Sequence, residues 1–351
     1  MKVAILYDGL SAASADQLIV TTVDAVVREL SAEGNEVLRV AVGPNAQWID
    51  RLRRARVDLA FNLCESIDGV AALEPPVISV LELLDLPYSG SSSWTTSLCL
   101  RKHVVNAALE AAGLPVPRFA VVRRGGAMPS VGFPAICKPA AEDASIGVEQ
   151  RSVVRTMRQL TERVGAMLER WDEVLVQRYI QGREVNVGIL GDATLPIAEI
   201  DFGQMPKGMW RIVTYRSKWE TGSDEDLGSA PQCPARLPAG VATQLRKVAM
   251  AAWRIVGGAG YGRVDFRIDE RGRPWILEVN ANPDIAPDAG LARMAGVAGI
   301  EYGALVRRVC ELGLQRARGS AGTVDQWALA QRLSGVVTAD RAPDLFTSGE
   351  A

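Results

Sequence analysis

Residues 257–288, GGAGYGRVDFRIDERGRPWILEVNANPDIAPD, carry the pattern from which the fold of the chain is inferred. Two runs of alternating side chains flank the turn-forming DERG, and this pattern predicts two strands joined by a tight turn. Arg263 and Asp265 fall on one face of the first strand, and Glu278 and Asn280 fall on one face of the second. We expect the folded hairpin to bring Asp265 close to Glu278 and Asn280.

The polar face of this hairpin has the chemistry of a metal site. Two carboxylates and an amide oxygen suit a hard divalent cation such as Mg²⁺. Arg263 beside them would supply a fixed positive charge for a phosphate or a developing oxyanion. The alternative is an ordinary amphipathic hairpin whose polar face meets solvent. The ending EVNANP, residues 278–283, favours the metal site, because Glu and Asn two apart before a rigid Pro are an unusual end for a solvated hairpin.

Two segments of the hairpin resemble a known signature. GRVDFRID and WILEVNANPD are similar to the metal-binding signature of the ATP-grasp ligases, and most closely to that of the D-alanine–D-alanine ligase family. The resemblance implies that Asp265, Glu278 and Asn280 hold two Mg²⁺ ions and that Arg263 contacts the reacting phosphoryl and acyl groups. Such ligases use ATP to turn a carboxylate into an acyl phosphate, which an amine then attacks. The expected cofactors are therefore ATP and Mg²⁺, with small amino-acid-like substrates.

Composition is that of a soluble globular protein. The chain has 351 residues, 48% of them hydrophobic and 23% charged, which allows two or three domains. A formal net charge of −2 and the lack of a basic run with aromatics argue against nucleic-acid binding. The five scattered cysteines fit reduced thiols. The start MKVAILYDG is interpreted as a strand, and no apolar stretch is long enough to cross a membrane, so we predict a cytoplasmic protein.

The part of the chain before about residue 96 alternates between predicted strands and helices. This order predicts a parallel sheet whose ligand side lies at the carboxyl ends of the strands. The segment LLDLPYSGSS resembles the N-terminal domain of the same ligase family. The predicted elements are a strand at 2–7, a helix from a Ser14–Gln17 capping box to about 34, a strand at 36–42, a helix at 48–55, a strand at 57–63 and a helix opened by Pro75 and Pro76.

Lysine is scarce in a chain that uses arginine for most of its positive charge, so each lysine is a candidate for a site that needs a compact ammonium. Lys102 lies on a helix predicted at 97–112, where a lysine is ordinarily just solvated. By the resemblance, it contacts ATP phosphates. Lys138 ends the apolar run 133–139, and a buried lysine requires an anion as partner.

Two further segments are assigned to ATP. The loop AAEDASIGV, with Ser145 and Gly147, is rich in small residues, which suits a flap whose N–H groups close over phosphates. The strand at 174–180 resembles the adenine-binding hinge of the family, while the alternative is an ordinary strand with a polar edge. The resemblance implies that Glu184 binds the ribose hydroxyls and that the base is read by Gln177 and by the backbone of Arg178, Tyr179 and Ile180.

A long segment at 203–233 has little apolar periodicity, which is typical of a functional lid or of disorder. It matches the mobile active-site loop of the family, with Lys218 aligned to a lysine that faces the phosphates and shares in catalysis. Further helices are predicted at 153–170, 240–256 and 301–313.

The predicted fold is α/β and α+β, a three-domain ATP-grasp fold with an N-terminal parallel-sheet domain. Its domains are 1–96, 97–186 and 187–318, followed by a tail helix within 319–351. ATP would lie between the second and third domains and the carboxylate substrate between the first and third. The resemblance alone suggests a homodimer. One alternative is an inactive nucleotide-binding relative, against which the complete set of charged residues argues.

Five positions bear on the substrate. The family has a Glu, a Ser and a Tyr around its first substrate, and the matching positions here are Ala13, Ala144 and Trp219. Asp284 stands where the family has Gly, and Asp288 follows it. These two acids could receive an ammonium or guanidinium group, or could equally cap a helix. We predict a specialised amino-acid or dipeptide ligase that does not use D-alanine first; the alternative is a cell-wall D-alanine–D-alanine ligase.

Overall fold

The chain folds into three β-sheets, each built from a different part of the sequence. The computed structural model describes residues 1–9 and 15–320. Ala13, the Ser14 end of the predicted capping box and the tail beyond Ser320 lie outside the described residues. Within the described part, no helix is long and apolar enough to cross a membrane.

The first sheet is parallel, as the alternation of strands and helices predicts. Its elements are β1 (Lys2–Asp8), α1 (Ala15–Ala32), β2 (Glu36–Val42), α2 (Gln47–Ala55), β3 (Leu59–Asn62) and α3 (Glu74–Leu83). The strand order is β2-β1-β3, so β1 is central. Asp8 at its end and the loop after β3 therefore meet at the same edge of the sheet.

The second sheet is antiparallel, in the order β4-β7-β5-β6. This part contains α4 (Ser93–Leu100), α5 (Lys102–Ala111), β4 (Phe119–Arg123), β5 (Ala135–Pro139), β6 (Val153–Val154), α6 (Met157–Leu168) and β7 (Glu173–Arg178). The single helix predicted at 97–112 is wrong, because Arg101 leaves the helical conformation at φ −92° and ψ 77°. The helix predicted at 153–170 is shorter, since its first two residues pair with β5.

The third sheet has the order β11-β10-β8-β12-β13, with β9 paired to β8. Its part of the chain comprises β8 (Arg183–Leu190), β9 (Ala193–Thr194), β10 (Ala198–Asp201), α7 (Tyr215–Trp219), α8 (Asp224–Leu227), β11 (Ala230–Gln232), α9 (Ala239–Ile255), β12 (Tyr261–Ile268), β13 (Pro274–Asn280), α10 (Gly290–Val297) and α11 (Tyr302–Ser320). The boundary predicted between 186 and 187 falls inside β8, which pairs with β12 along its whole length. The segment 203–233 is not featureless, because α7, α8 and β11 lie within it.

Strands β12 and β13 form the predicted antiparallel hairpin. Asp265 pairs with Glu278, and Arg263 pairs with Asn280. A bulge after Asp265 leaves Leu277 without a partner in the ladder.

A ring from α9 packs flat against the start of this hairpin. Trp253 lies so close to Gly258 and Gly262 that a Cβ on either residue would come within 2.1 Å and 2.3 Å of its ring. The backbone that leads to Arg263 therefore rests directly on the indole.

The first and third parts share one hydrophobic core. Val3 and Ile5 of β1 belong to the same buried cluster as Tyr261 of β12, Leu291 of α10 and Leu305 of α11. The second sheet has a separate core with α6. The first and third parts are thus packed against each other. In the second part, α5 packs into the core of the third part, and the sheet faces the third sheet across a cleft.

Candidate active site

The predicted metal ligands of the hairpin lie together on one face. The guanidinium of Arg263 donates to both oxygens of Asp265, at 2.7 Å and 2.9 Å. Asn186 of β8 donates to the same carboxylate at 2.7 Å. Asp265 is buried, and these two donors fix its orientation toward Glu278 on the paired strand.

Glu278 is surrounded by cations. Burial by itself would raise its pKa, but Lys102, Lys138 and Arg263 outweigh burial and lower the pKa to about 2. The carboxylate is therefore ionised at every physiological pH. For Lys138, burial outweighs the nearby Glu278 carboxylate and lowers the pKa of the ammonium to about 8.

Lys102 is buried, unlike an ordinary solvated lysine on a helix. The break at Arg101 makes it the first residue of α5, where its N–H donates to the carbonyl of Ala140. Its ammonium contacts Asp143 at 2.7 Å and Glu278 at 3.3 Å. Burial alone would lower the pKa of Lys102, but these two carboxylates raise it above its ordinary value.

The cleft between the second and third sheets holds a cavity of about 480 Å³. It brings together most of the predicted site residues. Those that line it are Lys102, Lys138, Ala144, Ser145, Gln177, Arg178, Tyr179, Ile180, Glu184, Lys218, Arg263, Asp265, Glu278 and Asp288. Gly147, Asn280, Trp219 and Asp284 do not line it.

One end of the cavity holds a buried amide. The side-chain amide of Gln177 is buried, and neither its oxygen nor its nitrogen has a partner among the described residues. An amide can pair with the donor and acceptor on one edge of adenine. The N–H groups of Arg178 and Tyr179 already donate to Arg118 and Pro134, so of the three hinge N–H groups only that of Ile180 is left for a ligand.

Glu184 is held by Arg267 of β12. The two side chains form an ion pair at 2.8 Å, and Arg267 also lies over the ring of Tyr179 at 5.2 Å. Burial raises the pKa of Glu184, against the pull of Arg267. Arg267 thus positions two of the predicted nucleotide contacts.

The predicted phosphate-covering loop offers several unused donors. Ala144 and Ser145 both have positive φ, at 53° and 60°. Within the described residues, the N–H groups of Ala144, Ser145 and Gly147 have no acceptor. Unpaired N–H groups in such a turn are suited to an anion. Gly147 itself packs on Trp171 and Pro139, where a Cβ would not fit.

The lid touches this loop. The indole N–H of Trp219 donates to the carbonyl of Ala144 at 3.1 Å, and the N–H of Tyr215 donates to Val148 at 2.9 Å. Ala144 and Trp219 are therefore in contact, through the backbone carbonyl of Ala144.

Neither Asp284 nor Asp288 caps a helix. The residue before α10 is Ala289, and no side chain caps that helix. Asp284 accepts from the N–H of Ala286 at 2.8 Å, which stabilises a turn. Burial and Asp288 raise its pKa above the ordinary value.

The donor set fits Mg²⁺ and ATP. Asp265 and Glu278 face each other, and the amide oxygen of Asn280 accepts one hydrogen bond, from Asn282, and keeps a lone pair. Across the described ranges, no three His, Cys, Asp or Glu side chains are arranged to hold a metal. A cation here would therefore also need the Asn280 oxygen and the phosphates of a nucleotide.

The sequence analysis missed several residues of this region: Glu65, Asp143, Asn186 and Arg267. Asn186 and Arg267 carry a signal, since each is a polar residue that alternates with apolar residues along its strand. Glu65 and Asp143 stand in loops, and no local pattern distinguishes them from solvated acids.

Comparison with known proteins identifies the family. A family model described as D-ala D-ala ligase C-terminus matches residues 108–311. The D-alanine–D-alanine ligase of Geobacter sulfurreducens is 32% identical over 313 residues, which cover 88% of this chain and 92% of the relative. That of Dechloromonas aromatica is 31% identical over 322 residues, which cover 89% and 97%.

A solved structure agrees on the fold. The D-alanine–D-alanine ligase from Bacillus anthracis complexed with ATP superposes with a TM-score of 0.74 at 21% identity, covering 91% of this chain and 99% of that one. The chain belongs to the D-alanine–D-alanine ligase family, and it is an ATP-dependent ligase with the ATP-grasp fold.

Proposed function

We propose that the protein joins two amino acids through an acyl phosphate made from ATP. The observation that carries this proposal is the meeting of the Asp265–Glu278 pair with Lys102 and Lys138 in one cavity. A protein that only bound a nucleotide would have no physical need to bury this set of charges together.

The cavity divides into a base end and a phosphate end. Gln177 and Ile180 would bind the adenine, and Glu184 the ribose. Lys102, Lys138, Lys218 and the N–H groups of the loop containing Ser145 and Gly147 would hold the phosphates. Two Mg²⁺ ions held by Asp265, Glu278 and Asn280 would supply positive charge against those phosphates.

Arg263 and Lys218 are the proposed catalytic residues. The bidentate pair with Asp265 keeps Arg263 rigid, and burial of its guanidinium is outweighed by that carboxylate, which raises its pKa. A fixed cation can stabilise the negative charge that develops as the amine attacks the acyl phosphate. Lys218 has no ion pair in the described part of the chain, so its ammonium is available to the transferred phosphoryl group. No side-chain nucleophile is needed, because the substrate carboxylate attacks ATP directly.

D-Alanine is the first substrate to test. The relatives that match this chain almost end to end are named D-alanine–D-alanine ligase, and they support this reading better than the specialised one. The second candidate is a ligase for other amino acids. It is favoured by Ala13 and Asp284, since a lost charged partner for a desolvated ammonium costs on the order of 1.5–3 kcal/mol.

The deciding experiment incubates the protein with ATP, Mg²⁺ and millimolar D-alanine, and follows ADP release and product mass. D-Alanyl-D-alanine would support the first candidate. Activity only with other amino acids, tested singly and in pairs, would support the second. Glu278→Gln should lower ADP release by about 10²–10³-fold while circular dichroism stays unchanged. No ADP release with any amino acid, or a fully active Glu278→Gln variant, would refute the proposal.

We also propose a domain organisation and an oligomeric state for the chain. We keep three domains, 1–96, a middle one and one ending near 318, and move the second boundary from 186 to the turn at Gly182, before β8. We propose a homodimer in the cytoplasm, on the resemblance and on five free thiols. Sedimentation velocity would test the dimer.

A further inference from the structure

The loop after β3 reaches the reaction centre. Residues 63–70 leave the carboxyl end of the parallel sheet, which is the usual ligand side of such a sheet. Asp8, at the end of the adjacent β1, holds this loop. Its carboxylate accepts from the hydroxyl of Ser66 at 2.7 Å and from the N–H groups of Asp68 and Gly69 at 3.2 Å and 3.3 Å.

A second anchor ties the same loop to the hairpin. The side-chain amide of Asn282 donates to the carbonyl of Cys64 at 3.4 Å and to Glu74 at 2.9 Å, and its oxygen accepts from Tyr261 at 2.8 Å. The N–H of Asn282 donates to Asn280. Glu65, which follows Cys64, is therefore fixed with respect to the predicted metal ligands of β13.

The neighbours of Glu65 come from four other segments. Its carboxylate interacts with Asp284, Asp143, Lys218 and Arg263, from the post-hairpin loop, the phosphate-covering loop, the lid and β12. Crowding by protein and the two acids raise its pKa, against the pull of the two cations. The side chain of Glu65 is nevertheless exposed to solvent.

Glu65 has no hydrogen bond or ion pair with any residue of the described ranges. The neighbouring acids differ in this respect. Glu74 accepts from Asn282, Asp284 from Ala286, and Asp143 from Lys102. Glu65 thus lies on a backbone that is held on both sides, and its carboxylate has no ion pair with the described part of the chain.

We propose that Glu65 binds the ammonium group of the amino acid whose carboxylate is activated. The inference rests on the proposed function and names a residue that determines its first substrate. A zwitterion fits the local charges in one orientation: its carboxylate faces Arg263 and Lys218, and its ammonium faces Glu65 and Asp284. Glu65 would thereby supply the negative charge that the family has at the position matching Ala13.

The test is a competition between two acyl donors. The amino acid identified by ADP release is mixed with the 2-hydroxy acid of the same skeleton, with one acceptor amino acid present. The mass ratio of dipeptide to hydroxyacyl amide reports how well the ammonium is recognised, and it does not depend on the amount of active enzyme. We expect Glu65→Gln to lower this ratio by about 10- to 100-fold relative to wild type.

Two variants control the experiment. Glu65→Asp keeps the charge and should restore part of the ratio. Asp68→Asn changes an exposed acid of the same loop that holds Asp8 only through its backbone, and should leave the ratio unchanged. The Kd for ATP should be the same in all four proteins, which shows that each is folded. An unchanged ratio in Glu65→Gln, with wild type active, overturns this inference alone; a wild type inactive on every amino acid overturns the proposed function.

Discussion

Lys138 holds its proton less tightly than an ordinary lysine, and this makes its charge sensitive to mildly alkaline pH. Burial sets its pKa at about 8, so below that pH the side chain is an ammonium and above it a neutral amine. Phosphates favour the ammonium form. With Lys138 in its proposed role of holding the phosphates, we expect binding of ATP to weaken as the pH rises through 8.

We predict that the affinity of the protein for ATP falls by up to about tenfold per pH unit above pH 8. Titration calorimetry between pH 7 and 9.5 measures it. Lys138→Arg provides the control, because a guanidinium stays charged over this range. If the affinity of the wild type for ATP varied with pH no more than that of the arginine variant, Lys138 would not contact the phosphates.

At the scale of elements, the predicted phosphate-covering loop places the carboxylate of Asp143 in the cavity, next to Lys102. Asp143 forms an ion pair with Lys102 at 2.7 Å, and Lys102 also contacts Glu278. A phosphate that approaches Lys102 must displace this carboxylate or tolerate its charge. We therefore expect the loop to compete with a phosphate bound at Lys102.

Asp143→Asn should therefore bind ATP several-fold more tightly than wild type, as measured by equilibrium dialysis. Asp172→Asn is a matched control, since it removes one charge from the same part of the chain, outside the cavity. Weaker binding by Asp143→Asn, or an equal gain in both variants, would mean that Asp143 does not compete with phosphate.

The same elements mark what the sequence could and could not predict. The hairpin follows from local alternation and a turn, so the sequence alone predicts that Asp265 lies near Glu278, and the strand register confirms it. The burial of Lys102 does not follow, because it depends on the break at Arg101 and on a loop some forty residues later in the chain. No local sequence pattern indicated a role for Glu65, because its neighbours come from four distant segments.

At the scale of the whole molecule, Asn282 joins the first and third parts through Glu74. This carboxyl group begins α3, is almost fully buried, and accepts from the Asn282 amide at 2.9 Å. Burial and the nearby Glu65 raise its pKa well above the ordinary value, against the effect of that hydrogen bond. The folded protein thus keeps a proton on Glu74 at pH values where the unfolded chain has lost it.

A raised pKa of an acid stabilises the fold below its unfolded value, and this contribution is lost as the pH rises toward the folded value. Glu74→Gln cannot ionise and still accepts from Asn282. We predict that, as the pH rises from 5 to 9, the Tm of the wild type falls relative to the Tm of Glu74→Gln. Scanning calorimetry gives both curves, with Glu270→Gln on the exposed hairpin turn as control. A Tm difference that does not vary with pH would contradict this assignment.

The contact of Trp253 with Gly258 and Gly262 limits how this enzyme can be redesigned. No side chain larger than hydrogen fits under the indole, so the three positions form one unit that can only change together. A library for new substrates that varied the glycines would shift the strand carrying Arg263 and Asp265, and would lose catalysis before it altered selectivity. Diversity is better placed at Asp284 and Trp219, where the surrounding backbone is set by other contacts.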